Sequence, residues 1–186
     1  MRIAFLFLLL ASAVRSQTVW TVYNTSNSPL PDNVIRAIEF DFTGNVWIGT
    51  DNGLAKFDGT NWTIIDSSNS DLPVNQIRSI AFDSVNHLWV GTLQAGLSIY
   101  DGINWTNFNS TNSLLPDDQV RSISFDANKI AWLGTTGGVT YLSDEGWIIY
   151  NMFNSPLGAN NVNKVFIDDN NVKWIGTVNG GISKKD

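Results

Sequence analysis

The chain has 186 residues and a formal net charge of −6, and its eleven Lys and Arg residues are scattered along the sequence. We therefore expect no binding to nucleic acid or to an anionic membrane surface, because both need clustered positive charge. The sequence contains no Cys, which excludes a disulfide framework and a lipoprotein anchor. The fold must therefore be stabilised by its apolar core alone, and a chain of this length can bury one such core.

Residues 1–16 have the composition of a secretory signal peptide. Arg2 precedes an apolar run of eight residues, and a stretch of small residues follows. The run is too short to span a bilayer, so we predict a leader that is cleaved after Ala13 or Ser16. The mature chain, 17–186, is then secreted or periplasmic, without membrane contact. A buried N-terminal strand or a retained anchor is the alternative interpretation.

The eight Trp residues indicate that the mature chain is a tandem repeat. They form two series with successive spacings of 42, 43 and 42 residues, and every Trp belongs to one of them. A period in the low forties is typical of a β-propeller blade of four strands. The first series is Trp47, Trp89, Trp132 and Trp174, and the second is Trp20, Trp62, Trp105 and Trp147.

Each repeat is predicted to contain four short strands, which we name A to D in chain order. The first complete repeat has strand A "VIRAIEFD" (34–41), strand B "VWIGT" (46–50), strand C "LAKFD" (54–58) and strand D "NWTIID" (61–66). Their alternation of apolar and polar residues is typical of strands. The Asp-Gly pair at 58–59 suits a tight hairpin, because Gly accepts a positive φ. No segment of ten residues has helical periodicity, so the predicted class is all-β.

The two ends of the repeat array are complementary in sequence. The last repeat, 162–186, supplies strands A, B and C and lacks strand D, whereas an unattached strand D, "TVWTVYN" (18–24), opens the mature chain. Unpaired strand edges invite aggregation, so we predict that Ile182–Lys185 pairs with Val19–Tyr23 and closes a four-bladed propeller monomer. Two alternatives remain: a strand-exchanged dimer that forms one eight-bladed ring, and a fragment of a larger propeller.

The segment "NSPLPDNVIRAIEFDFTGNVWIGTDNGLAKFDGTNW" (27–62) resembles the two-component regulator propeller repeat, and its W-I-G-T, G-L and F-D-G elements are specific as a set. The resemblance extends over the whole mature chain. It implies a β-propeller that senses or binds a ligand, often a glycan breakdown product, in a stand-alone secreted form. Family sensors usually have repeats for seven-bladed rings, followed by a membrane helix and a kinase. This chain has four repeats, so the resemblance implies binding and not signalling output.

The candidate ligand site is the first polar column of strand A, the innermost strand of each propeller blade. This column is expected at the mouth of the central channel, where three guanidiniums could bind a carboxylate or a sulfate. The alternative is that each Arg pairs with its own loop, for instance with Asp32 or Asp117. The candidate residues are Arg36, Arg78, Arg121 and Asn163 of the column, and Asp51, Asn52, Gln94 and Asn179 of the B-to-C loops.

The Trp residues and the Asp residues that end strand A are predicted to be structural. The first Trp series recurs in every strand B, which favours packing between blades, and the second is expected at the outer rim, with sugar or partner contact as the alternative. No metal or cofactor is predicted, since "DFTGN" offers too few oxygens for calcium. The Asp residues, which we expect to cap the A-to-B turns, are Asp41, Asp83, Asp126 and Asp168.

The sequence offers little for catalysis, because His87 is its only His and its Asp residues recur in register. We predict a secreted or periplasmic binding propeller that is not an enzyme. Its expected ligand is a small polar or anionic, carbohydrate-derived molecule at the central channel mouth. A protein interaction scaffold is the main alternative, and a polysaccharide lyase or hydrolase is the least favoured one.

Overall fold

The computed structural model describes residues 19–143 and 146–186, so the predicted leader and its cleavage site lie outside the described residues. These segments form fifteen strands and contain no helix of the length and apolar character needed to cross a membrane. The strands are β1 (Ile35–Phe40), β2 (Val46–Thr50), β3 (Gly53–Phe57), β4 (Trp62–Ile65), β5 (Ile77–Phe82), β6 (Leu88–Thr92), β7 (Leu97–Tyr100), β8 (Trp105–Phe108), β9 (Val120–Phe125), β10 (Ala131–Thr135), β11 (Gly138–Ser143), β12 (Gly146–Tyr150), β13 (Val162–Ile167), β14 (Lys173–Thr177) and β15 (Gly181–Lys185).

The strands form four antiparallel sheets, and each sheet is made of strands that follow one another in the chain. Strands β1–β4, β5–β8 and β9–β12 form four-stranded sheets, and β13–β15 form a three-stranded one. This is the strand order that the repeat predicts, and the β-propeller class is confirmed. We call the four sheets blades 1 to 4.

Neighbouring blades pack face to face through one repeated set of apolar columns. The inner strands contact each other in the order β1, β5, β9 and β13, and an apolar cluster fills each of the three interfaces. At each interface a strand C residue of one blade and a strand A residue of the next are fully buried. These pairs are Leu54 and Ile77, Leu97 and Val120, and Val139 and Val162.

The four blades form an open arc and not the closed ring that we predicted. Among the described strands, β15 pairs only with β14, and no apolar cluster joins blade 4 to blade 1. Ile182 and Ile35, which belong to the columns buried at the three interfaces, are 67% and 41% exposed. The predicted pairing of Ile182–Lys185 with Val19–Tyr23 is therefore wrong for the single chain.

Residues 19–24 form no strand, but they lie where the outer strand of a preceding blade would lie. The ring of Tyr23 is 5.4 Å from the ring of Trp62 in blade 1. Phe108 belongs to the same repeat column as Tyr23, and its ring lies 5.7 Å from Trp147 of the following blade. The N-terminal segment thus contacts blade 1 as each strand D contacts the next blade.

The Trp of each strand B is held by the Asp that begins the preceding turn. The indole Nε1 donates to the Asp Oδ2 at 2.9–3.2 Å in all four blades. The predicted turn-capping role is confirmed, because each Oδ1 accepts two backbone N–H groups, at Asp41 from Thr43 and Asn45. Burial acts to raise the pKa of Asp41, but hydrogen bonds from Trp47, Asn45 and Thr43 outweigh it and hold that pKa well below its usual range.

The Trp residues occupy two layers of each blade. Those of the first series are buried between blades, except Trp174 at the open side of blade 4, which is half-buried. In the second series Trp20 is exposed and the other three are half-buried at the rim. Trp62, for example, stacks on Phe57 with ring centroids 4.6 Å apart.

One residue of each A-to-B turn has the left-handed backbone conformation, with φ between 63° and 87°. In two blades this residue also links neighbouring turns, because an Asn Oδ1 accepts a backbone N–H of the preceding blade. Asn86 accepts from Phe42 and Asn171 accepts from Ala127, both at 2.9 Å. Gly and Asn tolerate a positive φ, whereas Lys does not do so readily. The four residues are Gly44, Asn86, Lys129 and Asn171.

We expect Lys129→Asn to raise the free energy of unfolding by about 1 kcal/mol. The substitution relieves the strain of a positive φ, which Asn tolerates better than Lys. Its side-chain Oδ1 would also accept the backbone N–H of Ser84 in blade 2, as Asn86 and Asn171 accept an N–H of the blade before them. Urea denaturation of the variant and of the unmodified chain measures the difference. Lys129→Ala removes the same charge without either benefit and should not stabilise the fold. Equal stability of the Asn and Ala variants would contradict this explanation.

Candidate functional site

A β-bulge directs each residue of the predicted polar column. In blade 1, Ile35 pairs with Thr50 and Ala37 pairs with Gly49, so that Arg36 is the extra residue between them. A bulge of this kind redirects a side chain and is common beside functional sites. The same register shift occurs in the other three blades, where the extra residues are Arg78, Arg121 and Asn163.

The inner strands of all four blades line the concave side of the arc, where an open cavity has a volume of about 610 Å³. Phe and Ile side chains form its apolar part, and among them Phe40 and Phe166 are more than half exposed. The charged residues of the lining are four cations and one carboxylate, in a chain of net negative charge. They are Arg36, Arg78, Arg121, Lys164 and Glu39.

Arg36 and Arg78 share one carboxylate. The Nε and Nη2 of Arg36 donate to the two oxygens of Asp51 at 2.9 and 2.6 Å, and Nη1 of Arg78 donates to its Oδ1 at 2.9 Å. The hydrogen bond from Arg36 holds the pKa of Asp51 below its usual range against the effect of burial, and the charge of Arg78 acts in the same direction. Asp51 therefore joins blades 1 and 2 and offsets part of the positive charge of the two guanidiniums.

Arg121 has the same column position in blade 3, but its hydrogen-bond partners are neutral. Its Nε and Nη2 donate to Oε1 of Gln119 at 3.0 and 2.7 Å, and its Nη1 donates to Oδ1 of Asn161 at 2.6 Å. Within the described part of the chain no carboxylate forms an ion pair with this guanidinium. The positive charge of Arg121 at the wall of the cavity is therefore not offset by an ion-paired carboxylate.

The other predicted ligand residues lie outside the cavity lining. Asn163 is exposed at its bulge, and Gln94 and Asn179 are exposed on the B-to-C loops. The side-chain amide of Asn52 donates to the carbonyl of Pro31 at 3.4 Å. The structure thus brings the three Arg residues to one concave surface and leaves these four polar residues around it.

Of the lining residues that the sequence did not predict, two stand out because they depart from the repeat, and both are in the last inner strand. Lys164 stands where the other repeats have Ala or Ser, and Phe166 stands in the column of Glu39, Ala81 and Ser124. The available signal was the departure of "VNKVFID" from the other three strand A sequences. In this strand the sequence analysis selected Asn163 instead, because it considered only the polar column.

His87 lies away from the cavity, in an A-to-B turn. Its Nδ1 is 3.1 Å from Oδ2 of Asp83, the carboxylate that also caps this turn. Among residues 19–143 and 146–186 no three His, Cys, Asp or Glu side chains are grouped so that they could hold a metal ion.

The fold and the lined concave surface define a tandem-repeat β-propeller, and comparisons with known structures agree. The chain is similar to the extracellular domain of a B. thetaiotaomicron protein described as a hybrid two component system, with a TM-score of 0.77 and 24% identity over 91% of this chain and 24% of that one. It is also similar to virginiamycin B lyase from Staphylococcus aureus, with a TM-score of 0.62 and 14% identity over 83% of this chain and 56% of that one. These likenesses show the fold.

A third similar structure is PorZ, a surface component of the type-IX secretion system of Porphyromonas gingivalis. Its TM-score is 0.59 at 17% identity, over 89% of this chain and 28% of that one. The chain thus spans about a quarter of the length of PorZ and of the B. thetaiotaomicron domain. A search of curated proteins gave no match.

The family model described as two component regulator propeller matches residues 29–52 and 71–94. These two segments contain strands A and B of blades 1 and 2, including both W-x-G-T phrases and the bulged Arg positions. Two of the four repeats, those of blades 1 and 2, therefore match the two component regulator propeller repeat, and for these repeats the resemblance found in the sequence is confirmed.

Proposed function

We propose that this chain is an exported, non-catalytic binding propeller whose concave surface holds a small anionic, carbohydrate-derived ligand. The observation that carries the proposal is the guanidinium of Arg121, which lies in the cavity lining with neutral hydrogen-bond partners only. A carboxylate or a sulfate is the natural partner for such a group, because charge-assisted bonds to guanidinium are short and strong.

The remainder of the lining supports the same class of ligand. Lys164 adds a second cation without a carboxylate partner among the described ion pairs. The cavity of about 610 Å³ has the size of ordinary small-molecule sites.

Export is supported by the leader-like composition of residues 1–16 and by the kind of proteins that share the fold. One similar structure is an extracellular domain and another is a bacterial surface component. A sensor-like role, in which ligand binding at the cell exterior is passed to a partner protein, is consistent with this location.

Titration calorimetry with oligosaccharides that carry uronic acid or sulfate groups, compared with neutral ones of the same length, tests the proposal. We expect acidic ligands to bind and Arg121→Ala to weaken their binding about 10- to 100-fold, as for the loss of a hydrogen bond to a charged group. Arg121→Lys should recover only part of the affinity, because Lys lacks the planar fork. Lys129→Ala, which removes a charge outside the cavity, is the matched control.

Asp51→Asn should strengthen the binding of the same acidic ligands severalfold, because it releases Arg36 and Arg78 from their shared carboxylate. The gain should shrink as the salt concentration rises. Weaker binding in this variant would contradict a role for the Arg column. Unchanged binding in Arg121→Ala, or equal affinity for neutral and acidic ligands, would refute the proposed site.

A further inference from the structure

The two ends of the arc carry the two halves of the interface that joins neighbouring blades inside the chain. We propose that a second copy of this chain docks head to tail on the first, with blade 4 of each copy packed against blade 1 of the other. Two copies then form one eight-bladed ring.

The open side of blade 1 exposes side chains that are buried in the other blades. Ile38 is 60% exposed, whereas Ile80 and Ile123 of the same column are nearly buried against the preceding blade. Ile35 and Phe40 extend this surface along β1 and are also exposed. Blade 1 thus presents the face with which blades 2 to 4 contact their predecessors.

The open side of blade 4 presents the opposite half of the interface. Ile182 in β15 belongs to the column of Leu54, Leu97 and Val139, each of which is fully buried against the next blade. Trp174, the strand B Trp of blade 4, is half-buried although its three equivalents are buried. An apolar residue of a following blade is what covers both positions elsewhere in the chain.

The space around Gly176 indicates that Ile35 of a second copy would cover blade 4. A Cβ atom on Gly49 would lie 2.6 Å from Cγ2 of Ile77, and one on Gly134 would lie 2.7 Å from Cγ1 of Val162, so strand A of the next blade requires Gly there. A Cβ on Gly176 would meet only the carbonyl oxygen of Lys164, at 3.8 Å. Within the described chain nothing requires this Gly, whereas the close approach of Ile35 from a second copy does.

The outer strands lead to the same arrangement. The segment 19–24 lies against blade 1 in the position of a preceding strand D, as the contact between Tyr23 and Trp62 shows, while the edge of β15 is open. In the two-chain ring the segment of one copy lies beside β15 of the other and completes blade 4. Every blade then has four strands, and β15 is no longer the outer edge of an incomplete blade.

A second copy covers the exposed faces of blade 1 and blade 4 at the same time. A single chain does not cover them, because its arc is open. Two arcs related by a two-fold axis make two identical contacts and close without leaving a free end. The concave cavity becomes the wall of a central channel, and Arg121 occurs twice around it.

An engineered disulfide tests the register of the contact in a chain that has no Cys. At the equivalent internal contact, a Cβ on Gly49 would lie 3.2 Å from Cβ of Ile77, so a small separation of the two strands brings these positions into the range of a disulfide. We therefore expect the full chain with both Ile35→Cys and Gly176→Cys to migrate as a covalent dimer on a non-reducing gel. Each single variant alone should remain a monomer on that gel. A double variant that closes on itself, or that forms no bond, overturns the proposal.

The mass of the unmodified full chain in sedimentation equilibrium is the second measurement, and it does not depend on a variant folding. We expect twice the monomer mass; a monomer, or a mass that keeps growing with concentration, overturns the two-chain ring. Ile182→Asp should weaken the dimer at least tenfold. The control is Ile103→Asp, in the β7–β8 turn of blade 2, which changes an 84% exposed residue away from both ends and should leave the mass unchanged. Equal weakening by both variants also overturns the proposal.

Discussion

Gly91→Ala should lower the free energy of unfolding by about 3 kcal/mol, as is found when a methyl group is forced into a closely packed interface. A Cβ atom at this position would lie 2.5 Å from the carbonyl oxygen of Val120 and 2.8 Å from its Cγ1. The carbonyl belongs to the backbone of β9, so blade 3 would have to move away from blade 2 to make room. Urea denaturation followed by Trp fluorescence measures the loss.

Gly176→Ala is the matched control, because it changes the same repeat position where no following blade is packed. Its new methyl group would be 3.8 Å from the nearest atom of the chain, which is an ordinary contact. At protein concentrations low enough to keep the chain monomeric, this variant should be as stable as the unmodified chain. Equal losses in the two variants would show that Gly is needed for strand conformation and not for the approach of blades.

Asp126→Ala should have a still larger effect, a loss of about 3–5 kcal/mol. Asp126 is only 8% exposed, and it accepts hydrogen bonds from Nε1 of Trp132 and from the backbone N–H groups of Asn128 and Ile130. It also lies 3.6 Å from Nζ of Lys173, a buried residue of blade 4. The variant therefore leaves a buried indole N–H and a buried ammonium without their carboxylate.

Two further variants separate these contributions. Asp168→Ala makes the same change in blade 4, where the Asp has hydrogen bonds to Trp174 and to its own turn but no buried cation beside it, and we expect a smaller loss. Asp126→Ala combined with Lys173→Met removes the buried charge as well and should recover part of the stability. If the double variant is no more stable than Asp126→Ala, Lys173 does not contribute to the loss.

The strands of this fold could be predicted from the sequence because their signals are local. Alternation of apolar and polar residues marks each strand, and Gly, Asn and Asp mark each turn. The predicted strand A at 34–41 corresponds to β1 at Ile35–Phe40, and the predicted strand C at 54–58 corresponds to β3 at Gly53–Phe57. Capping by Asp41 followed from the same local chemistry.

Closure could not be predicted in this way, because it depends on the rotation between blades. That rotation is set by how columns such as Leu54 and Ile77 pack across an interface, and identical repeats are compatible with more than one ring size. Strand pairing between the chain ends was inferred from complementarity of sequence alone. The exposure of Ile182 shows that complementarity does not bring the ends of one chain together.

The sequence predicted which Arg residues share the candidate site, but not which of their charges are paired with a carboxylate. The regular spacing of the column placed Arg36, Arg78 and Arg121 on one surface, and the bulges explain how they face it. Arg78 and Arg121 each also have a hydrogen-bond partner in a neighbouring blade. No repeat column shows that Asp51 binds two guanidiniums while Arg121 has only amide partners. Such differences between equivalent residues depend on contacts that link separate repeats.

The order in which strands follow each other has a consequence for how such a chain can change in length. The outer strand of one blade leads directly into the inner strand of the next, as β4 leads into β5, so any stretch of 42 or 43 residues contains one complete set of strands. A duplication or deletion of that size in the gene adds or removes one blade wherever its boundaries fall. The surfaces at both ends of the arc stay the same, so the number of blades can vary while the means of assembly is kept.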